Sequence, residues 1–226
     1  MTIDFNKYPL PKKRIRHHVS PNAYFAASDQ KVLTDAYPPL IESIVWSEHF
    51  DNKKAPDVMD IGCGRGSFLM HYALEHPETN ILGIEIRPLC VEWIEGVIEG
   101  EKIGNCSVVR YSVANGLPFI EDNTIQKVFY LFPDPWTKTR YQKRRAFNAQ
   151  FLSTIYDKFM IGGELYLATD VPEVHEHHIE ELENFGKLSY KIVQSDDEWK
   201  LPITNKEKFC RKENIAFQRI ICTKLA

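Results

Sequence analysis

Asp57-Val58-Met59-Asp60-Ile61-Gly62-Cys63-Gly64-Arg65-Gly66 is the stretch on which the fold turns. A short apolar run closes on three alternating glycines. A segment with helical spacing follows over about 67–76 and stops at Pro77. Together these read as a buried strand, a tight turn and a helix. The alternation continues downstream: 81–85, 107–110, 127–131 and 164–168 read as strands, and 88–101, 145–159 and 172–184 as helices. A further helix is expected at 38–48, where Ile41, Ile44, Val45 and Glu48 keep helical spacing. Strands alternating with helices imply an α/β fold with a mainly parallel sheet covered on both faces. The last two strands, 191–194 and 217–223, have no full helix expected between them, so they read as an antiparallel hairpin at one edge.

Ligands of such sheets bind at the carboxyl ends of the strands. Asp60, Glu85, Asp134 and Asp170 all fall at expected strand ends. The glycines allow positive φ and close approach of backbone to ligand. Glu85 closes the second strand 25 residues after Asp60. A carboxylate there can accept both ribose hydroxyls of an adenosine. Asp60 would place like charge beside a pyrophosphate, which disfavours NAD. It suits a cationic amino-acid tail or a sulfonium, which favours S-adenosylmethionine (AdoMet). A purely structural glycine turn is the alternative.

The second informative stretch is Phe132-Pro133-Asp134-Pro135-Trp136, directly after the apolar run Val128-Phe129-Tyr130-Leu131. Each proline fixes φ and biases its predecessor away from helix, so Asp134 sits on a stiff, extended turn. Five cations then fall within eight residues: Lys138, Arg140, Lys143, Arg144 and Arg145. A rigid carboxylate beside a cationic rim suits a site that reads a neutral base while gripping phosphates.

Formal net charge is −3, so any nucleic-acid contact must come from local patches. Basic residues cluster at 12–16, 138–145 and 206–212, and acidic ones at Glu173, Glu176, Glu180, Glu181 and Glu183. The length suits one well-buried domain over 29–226, preceded by a flexible basic arm over 1–28 with prolines at 9, 11 and 21. None of the five cysteines forms a C-x-x-C pair, so no zinc or dithiol site is indicated. His175, His177 and His178 read as a solvated helix rather than a metal site. The amino terminus lacks an apolar secretory core, and no run approaches membrane-spanning length. A reduced cytoplasmic location is the expectation.

The D-x-G-x-G-x-G turn with its downstream acid resembles the class I AdoMet-dependent methyltransferases. That resemblance implies a Rossmann-like, mainly parallel seven-stranded sheet with one antiparallel edge strand and helices on both faces. The proline-flanked Asp134 with its basic run resembles the signature of the tRNA (guanine-N7)-methyltransferases. Gly83-Ile84-Glu85-Ile86-Arg87, Ala168-Thr169-Asp170 and Thr204-x-x-Glu207 fit the same family. The resemblance implies methyl transfer to guanine N7 in tRNA, at guanine 46 of the variable loop. It implies AdoMet contacts from Asp60, Gly62, Gly64, Gly66, Glu85, Ile86 and Asp134, with Ser112 or Asn115 on the adenine side. Asp134 would be the active-site carboxylate, with Lys138 and Asp170 near the guanine. Arg140, Lys143, Arg144 and Arg145 would contact RNA, and Thr204 and Glu207 would complete the acceptor pocket. The sequence leaves monomer and homodimer open for this chain, and because some members of the resembled family need a second, unrelated subunit, an accessory subunit stays open too.

The chain departs from the family pattern in three places, one being the usual glycine and Asp-Leu pair, which is replaced around Glu213 to Ile220. The usual aspartate after the third strand is absent from Arg110-Tyr111-Ser112-Val113-Ala114-Asn115. The usual Thr-Lys-Phe-Glu is Thr204-Asn205-Lys206-Glu207. Two other functions fit the residues: a non-catalytic RNA-binding member of the fold, and a methyltransferase acting on another RNA or on an amino group.

Overall fold

The structure, a computed structural model, describes residues 3–11 and 20–225. The basic cluster at 12–16 lies outside the described residues. The chain divides into two compact units, Met1–Phe119 and Ile120–Ala226.

In the first unit the glycine turn joins strand β1 (Val58–Ile61) to helix α1 (Ser67–Glu75). Strand β2 (Ile81–Glu85), helix α2 (Pro88–Glu101) and strand β3 (Cys106–Arg110) follow. β2 pairs in parallel with both β1 and β3, with Asp60 opposite Gly83 and Glu85 opposite Arg110. Every residue of β1 and β2 is buried. Such continuous burial is what a parallel strand covered on both faces requires. α2 opens on Pro88, whose missing N–H falls where a helix has no use for one.

Two described stretches of the amino-terminal segment are seated on this unit. Phe5 stacks on Trp93 at 5.8 Å, and the Trp93 indole N–H donates to the Tyr8 carbonyl at 3.1 Å. The Ser112 hydroxyl donates to the Ala23 carbonyl at 2.8 Å. The helix expected over 38–48 does not form; only Trp46–Glu48 makes a 3₁₀ turn. Leu40 and Val45 are 52% and 60% exposed, so a helix there would have had no surface to bury its apolar face against.

The second unit carries β4 (Ile125–Leu131), α3 (Thr139–Gln142), α4 (Ala149–Lys158) and β5 (Phe159–Thr169). Then come α5 (Pro172–Phe185), β6 (Leu188–Ile192), α6 (Asp196–Trp199), α7 (Asn205–Lys212) and β7 (Gln218–Lys224). α4 starts later than the expected residue 145, because Asn148 caps it by accepting from the Phe151 N–H at 3.0 Å. Gly162 and Gly163 lie inside β5, where the pairing with β4 slips between Ile125 and Lys127. α6 and α7 separate the two closing strands, contrary to the expected absence of a helix there. The Thr204 hydroxyl starts α7 by accepting from the Glu207 N–H at 2.9 Å.

The seven strands form one mixed sheet in the order β3-β2-β1-β4-β5-β7-β6. β7 runs antiparallel to both β5 and β6, so the expected hairpin lies at one edge. Among the described residues no helix is long and apolar enough to cross a membrane.

Gly66 is the position where the turn most needs glycine. Its φ is +67°, and a Cβ built there would lie 2.8 Å from Ile94 on α2. Gly66→Ala combines left-handed strain of about 1–2 kcal/mol with overpacking of about 1–3 kcal/mol. Urea unfolding should show a loss of about 2–5 kcal/mol.

Candidate donor and acceptor sites

In the first unit the parallel pairing of β1 and β2 brings Asp60 and Glu85 to the same end of the sheet. Both carboxyls are 3% exposed. Gly62, Gly64 and Gly66 all hold left-handed φ, and the space a Cβ would take at Gly62 is open. Glu85 is heavily engaged. Its Oε1 accepts from the Arg87 backbone N–H and the Arg87 Nε–H, each at 3.0 Å. Its Oε2 accepts from the Gly64 N–H and the Arg87 Nη2, each at 2.9 Å. A ribose that bonds Glu85 must therefore share it with Arg87 or displace the guanidinium.

Arg87 is the donor-site residue that the sequence reading left without a role, although it ends the quoted Gly-Ile-Glu-Ile-Arg segment. Its Nη2 lies 3.6 Å from the Cβ position at Gly64, over the glycine turn. Ile86 is half-buried between the two.

Asp60 has no such compensation among the described residues. Burial pushes its carboxyl up to about 8, and the nearby Glu85 adds to the rise. A cation bound beside Asp60 would favour its ionised form, so the residues fit the charged methionine end of AdoMet. The Cys63 thiol, in the turn itself, is raised well above its ordinary range by burial and by Asp60 and Glu85. That environment favours the protonated thiol over the nucleophilic thiolate.

Ser112 and Asn115 follow β3. Ser112 is buried on the Ala23 carbonyl. The Asn115 Oδ1 accepts from the Ala27 N–H at 2.7 Å, and its amide also bonds the Tyr37 hydroxyl and the Ser112 carbonyl. Both side chains thus fasten the segment over 23–37 to the loop after β3.

In the second unit β4 and β5 run parallel, with Leu131 opposite Ala168. Asp134 and Asp170 follow the same ends of these two strands. The Phe132 N–H donates to the Ala168 carbonyl at 2.7 Å, fixing the start of the proline turn. Phe132 and Trp136 on either side of Pro133-Asp134-Pro135 hold φ of +52° and +40°. Such angles are costly for aromatic side chains and persist only where surrounding contacts hold them.

Lys138, Arg140 and Lys143 are exposed, whereas Arg144 and Arg145 are partly buried. The Arg144 guanidinium lies 4.9 Å from the Trp136 ring and 4.3 Å from the Tyr141 ring. The Asp170 carboxylate pairs with Lys206 at 2.6 Å, and that ammonium lies 5.3 Å from the exposed ring of Phe209. Lys206 was also missed, because it stands one place away from the lysine of the family pattern.

Thr204 and Glu207 do structural work here. Thr204 caps α7, and the buried Glu207 Oε1 accepts from Arg211 and from Arg219, the latter at 2.6 Å. Asp196 completes the cluster. Hydrogen bonds from Arg211 and Arg219 lower its carboxyl to about 2. His178 is not solvated as expected. It is 1% exposed, 4.4 Å from the Phe147 ring, and burial lowers it to about 3, so it is a neutral core residue. Among the described residues no acidic, cysteine or histidine group is arranged to hold a metal ion.

This glycine turn, paired acids and strand order define a class I methyltransferase fold. A SAM-dependent O-methyltransferase of known structure from Thermotoga maritima superposes with a TM-score of 0.53 at 14% identity, covering 78% of this chain and 62% of that one. Residues 54–220 match the family model described as "Putative methyltransferase". The tRNA (guanine-N(7)-)-methyltransferase of Thermosynechococcus vestitus is 32% identical, over 91% of this chain and 92% of the relative. That of Lactobacillus johnsonii is 30% identical, over 82% of this chain and 86% of the relative. The chain belongs to the tRNA (guanine-N7)-methyltransferase family.

Two outcomes test these environments. AdoMet affinity, measured by calorimetry across pH, should rise by up to about tenfold per pH unit below about 8 and level off above it, as Asp60 loses its proton. Asp60→Asn should bind more weakly and lose that dependence. Glu207→Ala leaves the buried Arg219 without its shortest partner, so denaturant unfolding should show a loss of about 3 kcal/mol.

Proposed function

We propose that the protein transfers a methyl group from AdoMet to N7 of a guanine in tRNA, and that the target is guanine 46 in the variable loop. The observation that carries this reading is the stiff Pro133-Asp134-Pro135 turn followed by exposed cations, in a chain of this family. Asp60, Glu85, Ile86 and the glycine turn are the residues that would hold AdoMet. When bound, AdoMet supplies a methyl group on a positively charged sulfur.

Guanine N7 carries a free lone pair at neutral pH. Its attack on the methyl needs no prior proton loss, so no strong general base is required. Alignment and electrostatics then supply most of the acceleration. Asp134 accepts hydrogen bonds from guanine N1–H and N2–H₂, which adenine cannot offer in that arrangement. Asp134 also favours the cationic 7-methylguanine as its charge develops. Asp170, with Lys206, provides a second carboxylate in the same unit. Lys138, Arg140 and Lys143 grip phosphates, so tRNA binding falls steeply with salt.

Incubation with labelled AdoMet and unmodified bulk tRNA should place label in 7-methylguanosine after nuclease digestion. Asp134→Ala should lose at least about a hundredfold in turnover while still binding AdoMet. Normal turnover by that variant would remove Asp134 from the site. Tight tRNA binding by wild type with no AdoMet binding would favour the non-catalytic reading.

A further inference from the structure

The run of cations after Trp136 does not face one way. Lys138, Arg140 and Lys143 are exposed, but the Arg145 Nε–H donates to the Pro135 carbonyl at 3.0 Å. The Arg145 Nη2 is shielded from solvent without a hydrogen-bond partner among the described residues, as is the Arg144 Nε. Pro135 directly follows Asp134. A ring locked at fixed φ transmits the position of its own carbonyl to the residue before it. Arg145 also lies in the electrostatic surroundings of Tyr130, near the end of β4, and of Glu173, at the start of α5. Its side chain is partly desolvated there, which opposes its charge. With the Nε–H committed to that carbonyl and Nη2 shielded from solvent, the side-on Nε–Nη2 edge of the guanidinium is closed to a phosphate.

We propose that Arg145 is a positioning residue for the methyl-transfer reaction: it ties down the turn that carries Asp134 and does not grip RNA. Arg144, whose guanidinium lies close to the rings of both Trp136 and Tyr141, braces the far end of the same turn. The exposed cations before them are left to contact the nucleic acid. This assignment rests on the function proposed above.

The test compares wild type with Arg145→Ala and Arg145→Lys. Turnover and KM for tRNA are measured, together with the salt dependence of tRNA binding. Hydrogen exchange of the segment 131–138 is followed on the protein alone. Lysine keeps the charge a phosphate contact needs but lacks the in-plane Nε–H. Both variants should therefore lose at least about tenfold in kcat, with KM for tRNA within about twofold and the salt slope unchanged. Exchange at 131–138 should speed up in both. If Arg145→Ala does not fold, Arg145→Lys decides by the same readings. A raised KM with a salt slope flattened by about 0.9, restored by lysine, would make Arg145 a phosphate contact and overturn the proposal. Unchanged exchange at 131–138 would overturn it as well. If wild type forms no 7-methylguanosine, the function proposed above fails, and the exchange measurement still decides whether Arg145 holds the turn.

Discussion

Two carboxyls shut into the end of a parallel sheet, with one arginine between them and charge balance, constrain everything the first unit can bind. Arg87 and two backbone N–H groups satisfy Glu85. Among the described residues nothing comparable holds Asp60, whose carboxyl rises to about 8. A buried carboxylate without a hydrogen-bonding partner is costly to ionise, and a cation bound beside it would favour the ionised form. An anionic ligand such as a pyrophosphate would make this worse. A ligand with a positive sulfur and a positive amino group relieves it. The glycines answer a different need, bringing backbone close to the ligand where side chains would block it. The donor chemistry therefore follows from a local electrostatic imbalance more than from the glycine pattern, which many folds share.

The acceptor segments obey a second constraint. A reaction that needs no base depends on where groups are held, and a turn can hold a carboxylate only if its own backbone cannot drift. Two prolines restrict the chain around Asp134. Phe132 and Trp136 stand at unfavourable φ on either side, so the turn must be supported from outside. The support comes from the β5 backbone at Ala168, from Arg145 on Pro135, and from the Arg144 stack on Trp136. Arg144 and Arg145, two of the five cations in that run, thus have contacts within the protein itself.

The strand–turn–helix order was legible because it depends on local signals: apolar runs, the glycine turn after β1 and prolines at element borders. β2 and α2 fall on their expected residues. The misread elements are those decided by tertiary contacts. Residues 38–48 have helical spacing but no surface to cover, and α7 has too few apolar residues to signal itself yet is fixed by its cap and by Glu207. The site followed the same division. Asp60, Glu85, Asp134 and Asp170 could be placed at strand ends by counting. The partnership of Arg87 with Glu85, of Lys206 with Asp170 and of Arg145 with Pro135 depends on side-chain direction, which spacing does not encode. Thr204 and Glu207 show the reverse: a recognisable motif whose visible contacts cap a helix and anchor a buried ion cluster.

The proposed acceptor is the ring nitrogen N7. Two tRNA transcripts decide it, one made with guanine and one with 7-deazaguanine, in which a C–H replaces N7. Both should bind the protein with similar affinity, and labelled methyl from AdoMet should enter the guanine transcript alone. Equal labelling of the two would contradict it and place the methyl on another atom.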